Sequence, residues 1–317
     1  MTRYFREGEV AELLPMKDAV AAVEQAFIQL GEGRAVNRPR SRARAGRRTL
    51  HVMSAASEAF GYVGLKAYTT GPDGARFYVM LFAAETGELV SLMEGDTLGQ
   101  IRTGAASGVA TRYMARADAD TVGIFGTGWQ ARSQLDALAV VRSLRSVVAY
   151  SREEQKRARF CDEMSSRLGI PVTPAERPED VTAEVHIVVT ATSAKEPVLC
   201  GSWLVPGQHV NAIGGNALGR REIDEEVVTR SSFIAADSVE QARIECGDLA
   251  AVVDAGKLRW EDVHDLADVV TGKKVARGGA SEITLFESQG VALEDVAVAK
   301  LIYERGVSLG LGKDLEI

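Results

Sequence analysis

Residues 121–138, TVGIFGTGWQARSQLDAL, decide how the rest of this 317-residue chain is read. An apolar run from Thr121 to Phe125 enters a glycine turn, Gly126-Thr127-Gly128, and leaves through a segment with Ala131, Leu135 and Leu138 at helical spacing. The pattern is strand, tight turn, helix. Gly126 permits the sharp turn and Gly128 lets the backbone approach a pyrophosphate. Ala131 takes the third small position of GxGxx[G/A], where helix must pack on strand. The N–H groups at the start of such a helix suit a phosphate. Glycine turns also join strands to helices where no nucleotide binds, so the flanking sequence has to decide. Residues 146–151 (SVVAYS), 185–190 (VHIVVT), 209–213 (HVNAI) and 233–236 (FIAA) follow at helix-plus-strand intervals. That cadence predicts an α/β fold with a Rossmann-type, doubly wound parallel sheet.

The length leaves room for two domains with cores of their own. The 46% hydrophobic and 26% charged fractions are those of a soluble globular protein. A net charge of -7 argues against nucleic acid or an anionic membrane as the main partner, because both call for a basic footprint. Cys161, Cys200 and Cys246 form no CxxC, and His51, His186, His209 and His264 form no HExxH, so neither a disulfide framework nor a metal site is expected. The N-terminal residues have no apolar core of signal-peptide length and no run approaches a membrane span. A cytoplasmic protein is the expectation.

Ahead of the nucleotide motif, residues 9–30 have a helical apolar rhythm broken at Pro15. Residues 34–48 carry seven arginines, of which Arg38, Arg40, Arg42 and Arg44 alternate at period two and would share one face of a strand. The spacing favours a sheet edge protected by charge. The alternative is that one or two guanidiniums point inward and hold a carboxylate in bidentate fashion. Residues 49–94 read as an antiparallel sheet, with Glu85-Thr86-Gly87-Glu88 as a hairpin turn. Lys66 interrupts the apolar run YVGLKAY, either as an edge charge or as an amine aimed at a ligand. Residues 97–114 turn helical and set Arg102 beside a string of small residues. The sheet-rich part ends near Asp118. Further on, residues 282–287 (EITLFE) form another apolar run, and residues 291–302 form a helix whose apolar face suits a return to the first domain.

The cofactor type is read from the second strand of the motif. An NAD-specific fold ends that strand in Asp or Glu, which takes the ribose 2′-hydroxyl. Here the tip is Tyr150-Ser151-Arg152, with Lys156 and Arg157 one turn later. A hydroxyl followed by a guanidinium suits a 2′-phosphate, so NADP(H) is expected in preference to NAD(H).

Seven segments together carry a family likeness: Arg40-Ser41, GLK ending at Lys66, MEGDTLGQIRTGAASG through Arg102, GTGWQA, TATSAKEPVL, HVNAIGGN and SEITLFESQGVALEDVAVAKLIYERG. In this order, spread over nearly the whole chain, they resemble the ornithine cyclodeaminase/mu-crystallin family. The resemblance implies a homodimer whose substrate-binding and dimerisation domain (1–118, completed by 297–317) flanks a Rossmann domain (119–296), with the substrate pocket facing the nicotinamide. It implies that Arg40 and Arg102 bind the substrate carboxylate and that Lys66 bonds the carboxylate or the reacting group. Cofactor contacts are implied at Thr103, Gly126, Thr127, Gly128, Trp129, Gln130, Ser151, Arg152, Thr190, Ala191, Thr192, Ile213 and Gly214.

One position departs from the family pattern. Ornithine cyclodeaminases carry an acid/base aspartate after the glycines of the turn that here reads Ile213-Gly214-Gly215-Asn216. A neutral amide takes no proton at working pH, although Asn216 can still hydrogen-bond an amine or orient a water. The expected function is therefore an NADP(H)-dependent oxidoreductase acting on the carbon–nitrogen bond of a small amino acid or cyclic imino acid, of the imine reductase or amino acid dehydrogenase type. Lys66 and Asn216 are its candidate catalytic residues. Ornithine cyclodeamination is the runner-up, and ligand binding without turnover the third reading. Glu245, Asp248 and Asp295 are carboxylates available to replace the missing aspartate if the fold brings one near.

Overall fold

In the computed structural model, which describes residues 1–316, the chain divides into two compact units, Met1–Arg102 with Gly290–Ile317, and Thr103–Gln289. The boundaries lie at 102/103 and 289/290, where the sequence had suggested 118/119 and 296/297. The first shift has a steric reason. Helix Asp96–Met114 crosses the boundary, and its C-terminal part is fitted to the second unit. A side chain at Gly104 would overlap the Ser133 backbone, and Asn211 Nδ2 donates to Thr111 Oγ1 at 3.0 Å.

The first unit is built on a seven-stranded sheet in the order Lys313–Leu315, Thr2–Phe5, Leu89–Glu94, Gly74–Ala83, Tyr62–Gly71, Arg48–Ser57, Ala35–Ala45. The four long neighbours Ala35–Ala45 to Gly74–Ala83 are antiparallel, and Gly87, at φ 73°, closes the hairpin read from residues 85–88. Helices Glu7–Leu13 and Met16–Gly31 flank the break at Pro15. Helix Ala292–Leu309 lies against the strands at Arg48–Ser57, Tyr62–Gly71 and Gly74–Ala83. Its approach is close: a Cβ on Gly64 would come within 2.7 Å of Val296 Cγ2. Phe5, Met53, Leu81 and Met93 fill the inner face at 0–1% exposure, each side chain contributing ~1.5–3 kcal/mol by burial.

The arginine strand corrects an expectation. Between Arg38 and Ser41 the register against Arg48–Ser57 slips by one residue, because Arg38 pairs with Ser54 but Ser41 with Val52. The bulge contains Pro39, which has no N–H to give a ladder. It breaks the period-two face: Arg40 is buried, while Arg38, Arg42 and Arg44 are exposed.

The second unit holds eight parallel strands in the order Val263–Asp265, Phe233–Ala236, Thr284–Glu287, His209–Ala212, Ile187–Thr190, Thr121–Phe125, Ser146–Tyr150, Val172–Pro174. Both faces are covered. Val122, Ile124, Val147, Ala149, Ile187 and Val189 pack into one core, and Phe125, Val188, Val210, Ala212, Ile234 and Leu285 into the other. This is why these strands read as unbroken apolar runs. The strand order reverses between Thr121–Phe125 and Ile187–Thr190, where a doubly wound sheet opens a crevice at its carboxyl edge.

Candidate active site

A candidate nucleotide site lies in the second unit, at that reversal. A cavity of about 640 Å³ is lined by Gly126, Thr127, Gly128, Tyr150, Ser151, Arg152, Glu153, Lys156, Ala191 and Thr192, with 193–196 and Val198 closing it. Gly126 has φ +101°, and a Cβ there would overlap the Ala191 carbonyl. A Cβ on Gly128 would meet nothing within 4 Å, so the turn leaves open space above the first residue of helix Trp129–Val141. Gly128 caps that helix without a side-chain hydrogen bond, and its first N–H groups suit a diphosphate. Thr127 Oγ1 donates to Ser151 Oγ at 2.9 Å and ties the glycine turn to the tip of the second strand. These features fit a dinucleotide.

At the tip, Arg157 is committed elsewhere: it donates to the Ser151 carbonyl at 2.7 Å and lies over the Tyr150 ring. Lys156 pairs with Glu153 at 2.8 Å. Arg152 is the exposed guanidinium of the rim. Among the described residues, Thr103, Trp129, Gln130, Thr190, Ile213 and Gly214 do not line this cavity. Thr103 is buried in its helix and Trp129 is half exposed.

Sequence reasoning missed Glu222. It is buried, and its carboxylate accepts from Thr190 Oγ1 (2.9 Å), Thr192 N (2.6 Å), Thr192 Oγ1 (2.6 Å) and Gly214 N (2.6 Å). Burial raises its pKa against those hydrogen bonds. It thereby ties the end of strand Ile187–Thr190 to the 213–216 turn, and nothing in the charged run around it marks it for that role. Asp248 accepts from the Glu222 and Ile223 N–H groups and lies 3.3 Å from where a Gly215 Cβ would stand. Burial pushes its pKa up to about 6. Asn216 itself is exposed.

A buried cluster of charges belongs to the first unit. Lys66 stands in the inward cross-strand row Met53–Lys66–Val79, 3% exposed. Its Nζ donates to Asp295 Oδ1 at 3.1 Å. Arg102 Nε donates to the same oxygen at 3.1 Å, and Arg102 Nη1 donates to Glu294 Oε2 at 2.9 Å. Arg40 reaches Met53 Sδ (3.3 Å) and the Gly290 carbonyl (3.3 Å). The cations leave no room for side chains around them: a Cβ on Gly99 would lie 2.8 Å from Lys66 Nζ, and one on Gly290, at φ +75°, would overlap Arg102. Three buried cations thus share one small region with Asp295. Burial lowers the Lys66 pKa to about 8; Asp295 pulls it up, and Arg102 and Arg40 push it down. Asp295 accepts from both Lys66 and Arg102, and Glu294 accepts from Arg102, so these buried charges are paired with one another. Of the three carboxylates considered as replacements for the missing aspartate, Asp295 is the one that joins Lys66; Glu245 and Asp248 lie in the second unit.

The family model described as ornithine cyclodeaminase/mu-crystallin matches residues 4–309. The chain belongs to that family. A Delta(1)-pyrroline-2-carboxylate reductase of Bacillus cereus is 35% identical over 84% of this chain and 85% of its own length. The solved structure of Thermococcus litoralis Delta(1)-pyrroline-2-carboxylate reductase, in complex with NADH and L-proline, superposes with a TM-score of 0.94 at 33% identity, covering 99% of this chain and 100% of that one. An archaeal alanine dehydrogenase dimer with bound NAD gives a TM-score of 0.94 at 32% identity over 100% and 99% of the two chains. This family member is an oxidoreductase, with a Rossmann-type unit and a nicotinamide cofactor.

Proposed function

We propose that the protein is an NADP(H)-dependent reductase of small imino acids, acting at the carbon–nitrogen bond beside a carboxylate, with amino acid oxidation as its reverse. The observation that carries the reading is the buried Arg40–Lys66–Arg102 clamp with Asp295. Arg40 and Arg102 would grip the substrate carboxylate. Asp295 holds Lys66 and Arg102 side by side through one oxygen. Lys66, with a pKa near 8, keeps a proton at neutral pH yet can give it to the substrate nitrogen. Asn216 would hydrogen-bond that nitrogen without taking its proton. A bound nicotinamide would supply the hydride to the imine carbon. The test is oxidation of NADPH and NADH with five- and six-membered cyclic imino acids and with pyruvate plus ammonia, alongside ammonia release from L-ornithine. Consumption with an imine supports the reading; ammonia from ornithine without net cofactor change sinks it.

Cofactor choice rests on Arg152, exposed on the cavity rim, and on the hydroxyls of Thr127 and Ser151. The expected result for Arg152→Ala is a KM for NADPH raised about 10- to 100-fold, the worth of a hydrogen bond to a charged group, with the KM for NADH changed by less than about twofold. Equal losses for both cofactors would refute a 2′-phosphate site.

The assembly we infer is a homodimer, as named for the archaeal relative. It is supported by the outward face of the first sheet, where Leu50, Val63 and Tyr78 stand 40–43% exposed beside Leu65 and Met80. Met80→Arg is expected to convert a particle of about twice 34.0 kDa into single chains in sedimentation; an unchanged mass would move the interface elsewhere.

A further inference from the structure

Glu222 is a buried carboxylate whose main chain is fixed on both sides. Its carbonyl accepts from the Val198 and Leu199 N–H groups at 2.8 and 3.1 Å, and its own N–H donates to Asp248 Oδ1 at 2.9 Å. Each side-chain oxygen takes one backbone N–H and one hydroxyl. Oε1 accepts from Thr192 N and Thr192 Oγ1, and Oε2 accepts from Gly214 N and Thr190 Oγ1. The 213–216 turn is pressed onto this carboxylate: a Cβ on Gly214 would stand 2.4 Å from Glu222 Cδ and 2.5 Å from the Thr192 carbonyl oxygen. The Thr192 hydroxyl passes the order on, because it also accepts from Ala194 N at 3.1 Å. Ala191, Thr192 and Ala194 line the cavity at the strand-order reversal, and Glu222, 1% exposed, holds that wall.

We propose that Glu222 is a positioning residue for hydride transfer: it fastens the 191–194 wall of the cavity to the 213–216 turn, so that the nicotinamide half of the cofactor and Asn216 keep one spacing. The proposal rests on the reading of the protein as a dinucleotide-dependent imine reductase. In a doubly wound sheet the two halves of a dinucleotide take the two sides of the reversal. The glycine turn and the tip at Ser151 form one side here, and the ends of strands Ile187–Thr190 and His209–Ala212 form the other. The Glu222 clasp spans only the second side, since Thr190 ends one of these strands and Gly214 follows the other by two residues. The Ile213 N–H also donates to the Thr190 carbonyl at 3.1 Å, so the strand ends stay paired without the clasp. Losing it frees the turn and the wall, not the sheet. Glutamine has nearly the same shape but a single acceptor oxygen. Each Glu222 oxygen holds a backbone N–H that cannot turn away, so Glu222→Gln must set an amide N–H against either Thr192 N or Gly214 N. One of the two segments is released.

The test uses the whole protein as wild type, Glu222→Gln and Thr192→Val. It reads ADP affinity, the emission of bound NADPH, kcat and KM for a cyclic imino acid, and thermal unfolding. ADP reports the adenylate side alone, and the emission reports the surroundings of the nicotinamide. The expected result for Glu222→Gln is ADP affinity and imino acid KM within about threefold of the wild type, with kcat lower by about 10- to 100-fold, the cost of a misplaced reacting group. The emission of its bound NADPH should move towards that of the free cofactor. Thr192→Val removes one hydroxyl from the clasp and adds no donor, so its kcat is expected to fall about three- to tenfold; it decides the matter if Glu222→Gln does not fold. A kcat within about twofold of the wild type in the folded variants, or an ADP affinity that falls in step with kcat, overturns the positioning role and leaves the reductase reading standing. A wild type that binds NADPH but oxidises it with no imine sinks the reductase reading and this inference with it. A residue that only supported the fold would lower thermal stability and ADP affinity together and leave the emission unchanged.

Discussion

Lys66→Met is expected to lower kcat/KM for the imino acid about 30-fold to several thousandfold, with nucleotide affinity unchanged within about twofold. The range follows from removing one member of a buried, hydrogen-bonded charge set, ~2–5 kcal/mol. Methionine nearly preserves the volume, and Asp295 keeps Arg102 as its partner, so the fold is expected to survive. The same side chain sets a pH dependence. Its pKa is lowered from 10.5 to about 8, so the ammonium is present below about 8 and is lost as pH rises through that value. Wild-type kcat/KM should therefore fall on the alkaline side of about pH 8, and Lys66→Met should lack that limb. Steady-state kinetics across pH 6 to about 10, with a fluorescence titration of the nucleotide, checks both. An alkaline limb that persists in the variant would assign it to another group and remove Lys66 from the mechanism.

Gly126→Val is expected to abolish nucleotide binding and to destabilise the protein by several kcal/mol. At φ +101° a branched side chain is strained by ~1–3 kcal/mol before any contact is counted. A Cβ there would also stand 2.8 Å from the Ala191 carbonyl carbon and overlap its oxygen. Gly128→Ala separates the two effects. Its Cβ would meet no protein atom within 4 Å, so thermal stability should hold while nucleotide affinity drops, because the methyl group occupies the space a pyrophosphate needs. Thermal unfolding and nucleotide titration on both variants decide the matter. Full nucleotide affinity in Gly128→Ala would mean that the cavity over this turn holds something other than a dinucleotide.

The contrast between these sites shows what was legible in the chain. Gly126, Gly128, Ser151 and Arg152 announce themselves through the motif, and the structure brings all four to one cavity. The cluster of Arg40, Lys66 and Arg102 was legible through the family likeness and not from local spacing. Lys66 and Arg102 were set out as possible anchors, but the acid that joins them, Asp295, lies 229 residues from Lys66 in the chain. Glu222 gave no signal, because its work is to accept hydrogen bonds from groups brought near by two different strand ends. The short strands Thr2–Phe5, Val172–Pro174, Val263–Asp265 and Lys313–Leu315 were missed because three or four residues carry too little periodicity to read.

The sequence by itself determined the elements whose cause is local. Strand, glycine turn and helix in residues 121–138, the hairpin at 85–88 and the break at Pro15 each follow from backbone preferences and apolar spacing within a few residues. It also determined that the parallel strands are buried on both faces, since their apolar runs are continuous. The tertiary structure decided which charges are buried together. A one-residue slip at Pro39 turns Arg40 inward while its neighbours stay in water, and the docking of helix Ala292–Leu309 on the sheet delivers Glu294 and Asp295 to Lys66 and Arg102. Side-chain convergence of this kind depends on register and packing between segments far apart in the chain. Local preference fixes neither, because a shift of one residue in pairing reverses which face a side chain occupies.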